Sequence, residues 1–480
     1  MKRTSTAIVA LLACLPVAWL AFGLPLPGAK PSKPRALPLD DLDAELVWLH
    51  TTTNAATWER FVKGVRRVAL AVPDLTIDDS AAFPDDTMAT PEVVVRKAGR
   101  SGALRIRWYK LANDSTAADW VARLATRDRP PLAVIGGGST DRAAELARAL
   151  AARESWPGAR PLLFITTASA DKVLKDPSSD DPSEMALTRL YDGRTFRFCF
   201  SNRQMAAATV DFVWSQDDLM PTAAGAKPKA IVLHWDDDPF SVDLRDQFRT
   251  ILFSRADLVK WSESLPFSIG GTTTANRYER RAAEFVVNAL RDDPTQRALL
   301  VLPTVTAPAR RVLRAICELD SAARHRLVVL NGDGIPLNAV YRDGSYLWPV
   351  DQLPVPMVLF AHANPFGWDG AAVDRRQSLV PQTSTEDVLH YAAMATMAID
   401  AAFDDAKPVS DAELYRTRLR ERNPTAFDDD GNRLGGTGEF VAVVHPRTTE
   451  RPPRLAVWRH ADRWAPVTTL DLPVRPEPAE

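Results

Sequence analysis

The chain has 480 residues, of which 46% are hydrophobic, 25% charged and 8% aromatic, the balance of an ordinary globular protein. A single core rarely grows beyond about 250–300 residues, so two or more domains are expected. Lys plus Arg number 59 and Asp plus Glu 61, and a net charge of −2 gives no basis for a nucleic-acid partner.

Residues 1–28 predict a signal peptide or signal anchor. Lys2 and Arg3 form a basic start, and an apolar run follows from Ala7 to Pro27, broken by Pro16. Uncleaved, a run of about 20 residues can span a bilayer. Ala21, Phe22 and Gly23 offer a small-x-small cleavage pattern. Leu11 to Cys14 form a partial lipobox, although Leu15 to Phe22 stay apolar where a lipidated Cys is normally followed by polar residues. Residues 29–43 are rich in Pro and Lys and read as a linker. An exported, periplasmic or otherwise extracytoplasmic location follows from the leader.

From residue 44 short β-branched runs alternate with amphipathic stretches. Glu45 to His50 predicts a strand, and Trp58 to Leu70 a helix with Phe61, Val62, Val65 and Val68 on one side. Ala103 to Lys110 alternates as a strand, and Thr116 to Ala125 predicts a helix. Leu132 to Ile135 predicts a strand that ends in a Gly-Gly-Gly-Ser-Thr turn, with an Ala/Leu helix following to Ala152. Pro161 to Ile165 is the next strand. The pattern then repeats: strands at Phe196 to Phe200, Lys229 to His234, Ala298 to Leu302 and Arg326 to Leu330, with helices at Gln204 to Trp214, Ser241 to Phe253, Tyr278 to Leu290 and Ala309 to Leu319. A strand at Pro356 to Phe360, a helix from Thr385 to Phe403 and strands at Glu439 to His445 and Leu455 to Trp458 complete the reading. This alternation predicts an α/β chain: two Rossmann-like lobes with parallel central sheets, ligands sitting beyond the carboxyl ends of the strands.

The side chains show no catalytic constellation. No HExxH, GxSxG, P-loop or CxxC pattern occurs, so no enzyme, cofactor or metal is expected. Cys199 and Cys317 read as free thiols in apolar patterns. Asp236, Asp237 and Asp238 read as a solvated turn with a helix cap. Asp428, Asp430, Asn432 and Glu439 have the offsets of a calcium loop, but Arg433 stands where that loop needs Gly, and a strand-like run follows.

In order and spacing, Ala133 to Thr140 (AVIGGGST), Leu163 to Ser169 (LFITTAS), Phe196 to Asn202 (FRFCFSN), Ala230 to Asp238 (AIVLHWDDD) and Phe427 to Arg433 (FDDDGNR) resemble the type I periplasmic solute-binding proteins, the group that includes the leucine/isoleucine/valine-binding proteins. The resemblance covers roughly residues 44–460. It implies a three-crossover hinge, with crossings near Ser201–Ala206, Trp348–Pro356 and Asp428–Gly436. The division it implies is residues 44–205 in lobe 1, 206–350 in lobe 2, 351–430 returning to lobe 1, 431–465 in lobe 2, and a tail at 466–480. It further implies that Ser139 and Thr140 contact a ligand carboxylate or other anion, and that Thr166, Ala168 and Ser169 form the facing loop with hydroxyl and backbone contacts. Phe240 matches an aromatic position of the amino-acid binders, Asp333 the acid that pairs a ligand ammonium, and Trp58 an aromatic residue of the first helix region. The expected partners are a small polar ligand in the interlobe cleft and an ABC-transporter permease or a membrane sensor, with membrane attachment through the leader if it is retained. The alternative is an envelope interaction or scaffold protein that keeps the fold without the ligand site. Val340 to Trp368 would then be its contact surface.

Overall fold

The computed structural model describes residues 36–72, 74–112, 115–180, 183–219, 228–255, 259–268, 275–291, 297–335, 337, 355–365, 385–403, 406–435 and 439–471. The leader expectation, residues 1–28, lies outside them, as does most of the Val340–Trp368 segment. Among the described residues no helix is long and apolar enough to cross a membrane.

The first lobe begins with β1 (Ala44–Thr51) and α1 (Ala55–Ala71), followed by β2 (Leu75–Asp78), β3 (Glu92–Lys97) and β4 (Leu104–Leu111). Next come α2 (Ala117–Leu124), β5 (Ala133–Gly136), α3 (Thr140–Ala152) and β6 (Leu162–Ile165), then the small hairpin of β7 (Lys172–Leu174) and β8 (Glu184–Ala186), and β9 (Thr195–Arg197). The sheet order is β2-β3-β4-β1-β5-β6-β9. From β4 to β9 the pairings are parallel, and β2 and β3 add antiparallel edges. The parallel strands β5 and β6 are buried along their whole length, which is why they read as unbroken apolar runs. Sharp starts set the helices: Thr116 and Asp119 form a capping box for α2.

The second lobe contains α4 (Asn202–Trp214), β10 (Lys229–Trp235), α5 (Pro239–Phe253), β11 (Lys260–Phe267), α6 (Arg277–Arg291), β12 (Ala298–Val301), α7 (Thr306–Leu319), β13 (Leu327–Gly332) and β14 (Met357–Ala361). The chain then returns to the first lobe for α8 (Thr385–Ala402) and α9 (Ala412–Arg422). It ends in the second with β15 (Phe440–His445), β16 (Arg454–His460) and β17 (Trp464–Asp471). The second sheet runs β11-β10-β12-β13-β14-β15-β16-β17. It is parallel from β11 to β14 and antiparallel beyond. Both sheets are therefore mixed rather than purely parallel. Short connections at β3–β4 and at β15–β17 leave room only for antiparallel neighbours.

Each lobe has its own core. Trp48, Trp58, Phe61, Trp108, Phe164 and Tyr415 are among the residues that fill the first. The two faces of the second sheet bury separate clusters, one under α6 and α7 and one under α4 and α5. β14 corrects the expected return at residue 351. Met357 to Ala361 pair with β13 and β15 of the second sheet, so the chain leaves that lobe only after β14. A fully buried strand carries no mark of which sheet it joins. The crossing expected at Trp348–Pro356 accordingly moves to the stretch between β14 and α8.

Candidate functional site

The loops that follow the parallel strands are drawn together at the lobe boundary. After β6, the turn at residues 166–171 reaches the second lobe: its Ser169 carbonyl accepts from the Asn202 backbone N–H at 2.7 Å, and Asp171 Oδ2 accepts from Arg203 N–H at 2.7 Å. Ser201 and Gln204 form a capping box that fixes where α4 begins. From the second lobe, the Asp243 carboxylate accepts from the backbone N–H groups of Asp171 at 2.8 Å and Lys172 at 3.2 Å, and from the Asn202 side-chain amide at 2.8 Å. Burial, and then the neighbouring Asp171 charge, push Asp243 up to about 6. Arg197 secures the same loop from behind. Its guanidinium donates to the Ser169 and Ala170 carbonyls at 3.0 and 2.7 Å and to Asn432 Oδ1 at 2.6 Å.

A polar relay crosses the boundary beside this loop. His362, just past β14, bonds Asp333 Oδ2 through Nε2 at 2.8 Å, while its Nδ1 accepts from the Phe200 backbone N–H at 3.3 Å. A single neutral tautomer, with the proton on Nε2, serves both partners. The His362 ring lies 5.6 Å from that of His390 on α8. His390 Nε2 donates to the Thr166 carbonyl at 2.8 Å. Burial, reinforced by the charge of Arg433, lowers His390 to about 3, so this ring is neutral at ordinary pH. Arg433 stacks its guanidinium 4.1 Å from the Phe200 ring centre and bonds the Phe198 carbonyl, tying the first lobe crossing to the last.

The predicted site residues fall in different places. Ser139 is the exposed N-cap residue of α3, and its side chain makes no capping bond. Thr140 is buried, with no partner for its hydroxyl. Thr166 is buried and donates to the Gly136 and Gly137 carbonyls. Ala168 is buried under Cys199, whose thiol burial pushes up to about 12. Ser169 is buried, and its hydroxyl likewise lacks a partner. Phe240 sits in the first turn of α5, with its ring against Gly334 beside Asp333. Trp58 lies apart from all of these, 1% exposed in the first core, with its indole N–H on the Ala82 carbonyl at 2.9 Å. Thus Thr166, Ala168 and Ser169 share one loop at the boundary, and Phe240 and Asp333 share the opposite wall.

Sequence reasoning did not single out His362, His390, Asn202, Asp243 or Thr304. Lone histidines without ligand spacing, and an Asp inside a helix, carry no local signal. Thr304, after β12, is fully buried with an unpartnered hydroxyl, and so is Asn202 Oδ1. The candidate calcium-loop residues are otherwise engaged: Asp428 accepts from Asn432, and Asp430 pairs with Arg189. Among the described residues no group of three or more His, Cys, Asp or Glu is placed to hold a metal.

Two cavities adjoin these loops. One, of about 810 Å³, is walled by α3 and the β7–β8 hairpin of the first lobe and by α5 and its preceding turn in the second. The other, of about 230 Å³, lies within the first lobe against Ser139, His50, Asn54 and Gly138.

No protein-family model matches the chain, and no curated protein sequence does. Solved structures do match. An ABC transporter substrate-binding protein from Desulfitobacterium hafniense superposes with a TM-score of 0.52 at 12% identity, covering 88% of this chain and 100% of its own. The leucine-binding protein LivK from Thermotoga maritima gives 0.52 at 13% identity, over 87% of this chain and 98% of its own. A periplasmic binding protein from Burkholderia mallei gives 0.51 at 11% identity, over 90% and 96%. The chain has the two-lobed fold of type I periplasmic binding proteins.

Proposed function

We propose that the chain is an extracytoplasmic solute-binding protein that encloses a small polar ligand between its lobes and presents it to an ABC-transporter permease or a membrane sensor. The observation that carries the reading is the cavity of about 810 Å³ with walls from both lobes, a volume in the range of small-molecule sites. Thr140, Ser169 and Thr304 also bury hydroxyls without a partner near the lobe boundary, outside the lining of this cavity. Ser139, Thr140, Thr166, Ala168, Ser169, Phe240 and Asp333, the contacts the resemblance implies, do not line this cavity; Ser139 lines the smaller one, and the larger is walled instead by residues such as Asp141, Lys172, Asp237 and Val242. Trp58 is placed to act only through the core behind them. The leader, read from sequence alone, would deliver the protein across the membrane.

Such a protein binds and releases by hinge motion. Thermal-shift screening of the full chain against amino acids, amines and small organic anions tests this. A true ligand at 100 times its dissociation constant stabilises the folded state by about 2.7 kcal/mol. A flat response to every compound defeats the solute-binding reading. One observation favours the scaffold alternative: His362, His390 and Phe240 occupy the centre of the boundary with the protein's own side chains. A scaffold of this kind gives the same flat screen but retains a protein partner in cross-linking from intact cells.

A further inference from the structure

The wall of the large interlobe cavity has one dominant charge. Asp141 and Glu145, four residues apart on one face of α3, line it from the first lobe, with Glu184 from the hairpin. Asp236, Asp237, Asp243 and Asp246 line it from the second. Asp246 pairs with Arg245 and Glu145 with Arg142 on their own helices, and Asp243 is bonded by Asn202 and two backbone N–H groups. That leaves Asp141, Glu184, Asp236 and Asp237 as the remaining acids, with no arginine partner among the described residues. Among the described lining residues the opposing cations are Arg148 and Lys172. Arg148 directs its N–H groups at the Leu174 and Lys175 backbone carbonyls of the hairpin, which are not charge partners. The remainder of the wall is aliphatic, including Val173, Leu174 and Val242.

A second observation is independent of this count. Carboxylates of the two lobes oppose each other across the boundary at two places. The charge of Asp141 in the first lobe raises Asp238 in the second, on top of the larger effect of burial, and Asp171 does the same to Asp243. Like charges brought together by lobe closure cost free energy unless a positive group lies near them. Arg197 lies 3.7 Å from Asp171, so the uncompensated pair is Asp141 and Asp238. The two helix N-termini at α3 and α5 moderate that cost, but each already has its own acids in the first turn or cap.

We infer that the ligand of this cavity is an aliphatic organic cation with two or more ammonium groups. Resting on the solute-binding reading, this replaces the anion or amino-acid ligand that the resemblance alone implies. A flexible chain of methylenes fits the aliphatic strip, and its nitrogens reach carboxylates of both lobes. Closure then brings the acids onto the ligand rather than onto each other, and the affinity falls with salt.

Isothermal titration of the full chain with spermidine, putrescine, leucine and glutamate tests the assignment. Spermidine is expected to bind at one site, to weaken steeply between low and physiological salt, and to lose about tenfold or more in affinity in the Asp141→Asn/Asp237→Asn double variant. Both positions are exposed, so the variant should fold, and its unchanged melting temperature without ligand checks this. Asp462→Asn, on an exposed turn far along the chain, is expected to leave the affinity unchanged. Equal binding of spermidine by the double variant overturns the site. Binding of leucine or glutamate without spermidine overturns the cation class while leaving solute binding intact. Silence from all four probes together with a flat thermal-shift screen defeats both readings.

Discussion

Gly431 sits where the last crossing meets β9, and its backbone has a φ of +79°. That conformation costs an L-residue about 1–2 kcal/mol. Here the neighbourhood adds to the cost, because a Cβ would overlap the Thr195 carbonyl oxygen, and the Gly431 carbonyl itself accepts from Arg197 N–H at 2.8 Å. Gly431→Ala is therefore expected to destabilise the folded chain by about 2 kcal/mol or more, read from urea denaturation. A loss under 0.5 kcal/mol would mean that the crossing can shift away from β9 freely. The flanking Asp428 and Asn432 hold the turn, and Asn432 Oδ1 carries the Arg197 bond onward to the Ser169 loop. The crossing was legible from its FDDDGNR pattern. Its bond to Arg197 was not, since 235 positions separate the two residues.

Helices α6 and α7 show how an element is held to its neighbour. Glu279, fully buried at the start of α6, pairs with the Arg311 guanidinium of α7 at 2.7–3.0 Å. Removing one member of a buried pair costs about 3–5 kcal/mol, whereas replacing both with apolar groups of like volume is often neutral. Glu279→Gln should accordingly lose about 3 kcal/mol or more in chemical denaturation, and Glu279→Leu/Arg311→Met much less. A double variant as unstable as the single one would show that the helices need the charges themselves. This pair also marks the limit of reading by pattern. The helix periodicity of 277–291 and 306–319 is plain in the sequence, but a charged residue at an inward position looks like a break in the apolar face. The same limit explains the strands. β5, β6, β10 and β12 stand out as apolar runs between turns. β3 and β17, at or near sheet edges, and α9, with its row of arginines, have mixed polarity and were not singled out. β14 was seen as a strand but assigned to the other lobe, because burial on both faces gives no address. At the site, loop residues after strands were legible by position. His362 and His390 were not, since their pairing arises only when α8 returns from the second lobe.

At the scale of the whole molecule, both lobes keep neutral histidines in their interiors, and this fixes how the protein answers acid. Burial lowers His50 in the first lobe to about 4, His445 at the end of β15 to about 4, and His390 at the boundary to about 3. An unfolded histidine titrates near 6.5. Each group then contributes stability that is fully present above pH about 6.5 and is lost as pH falls from there toward its folded value. In that window the unfolded chain binds the proton and the folded one does not. A gap of about 2.5 units corresponds to about 3 kcal/mol per histidine once pH reaches 4. Asp243 opposes them, because its raised value makes the folded state gain between pH about 6 and 4, and the raised Asp238 acts in the same sense, while His234, also lowered by burial, acts with the three histidines. The melting temperature of the full chain should therefore drop from pH 7 to pH 4.5. The drop should be smaller in His50→Gln, which removes one of the three groups while keeping a polar side chain against Asn54. Comparing the two temperature differences cancels whatever the substitution costs at neutral pH. An equal drop in the variant would place the acid response outside the buried histidines. A larger drop would mean that the imidazole is protonated within the fold and stabilised there. Because His50 lines the smaller cavity beside Ser139, a ligand seated there should raise the melting temperature at both pH values and change the acid response only as far as its own affinity changes with pH.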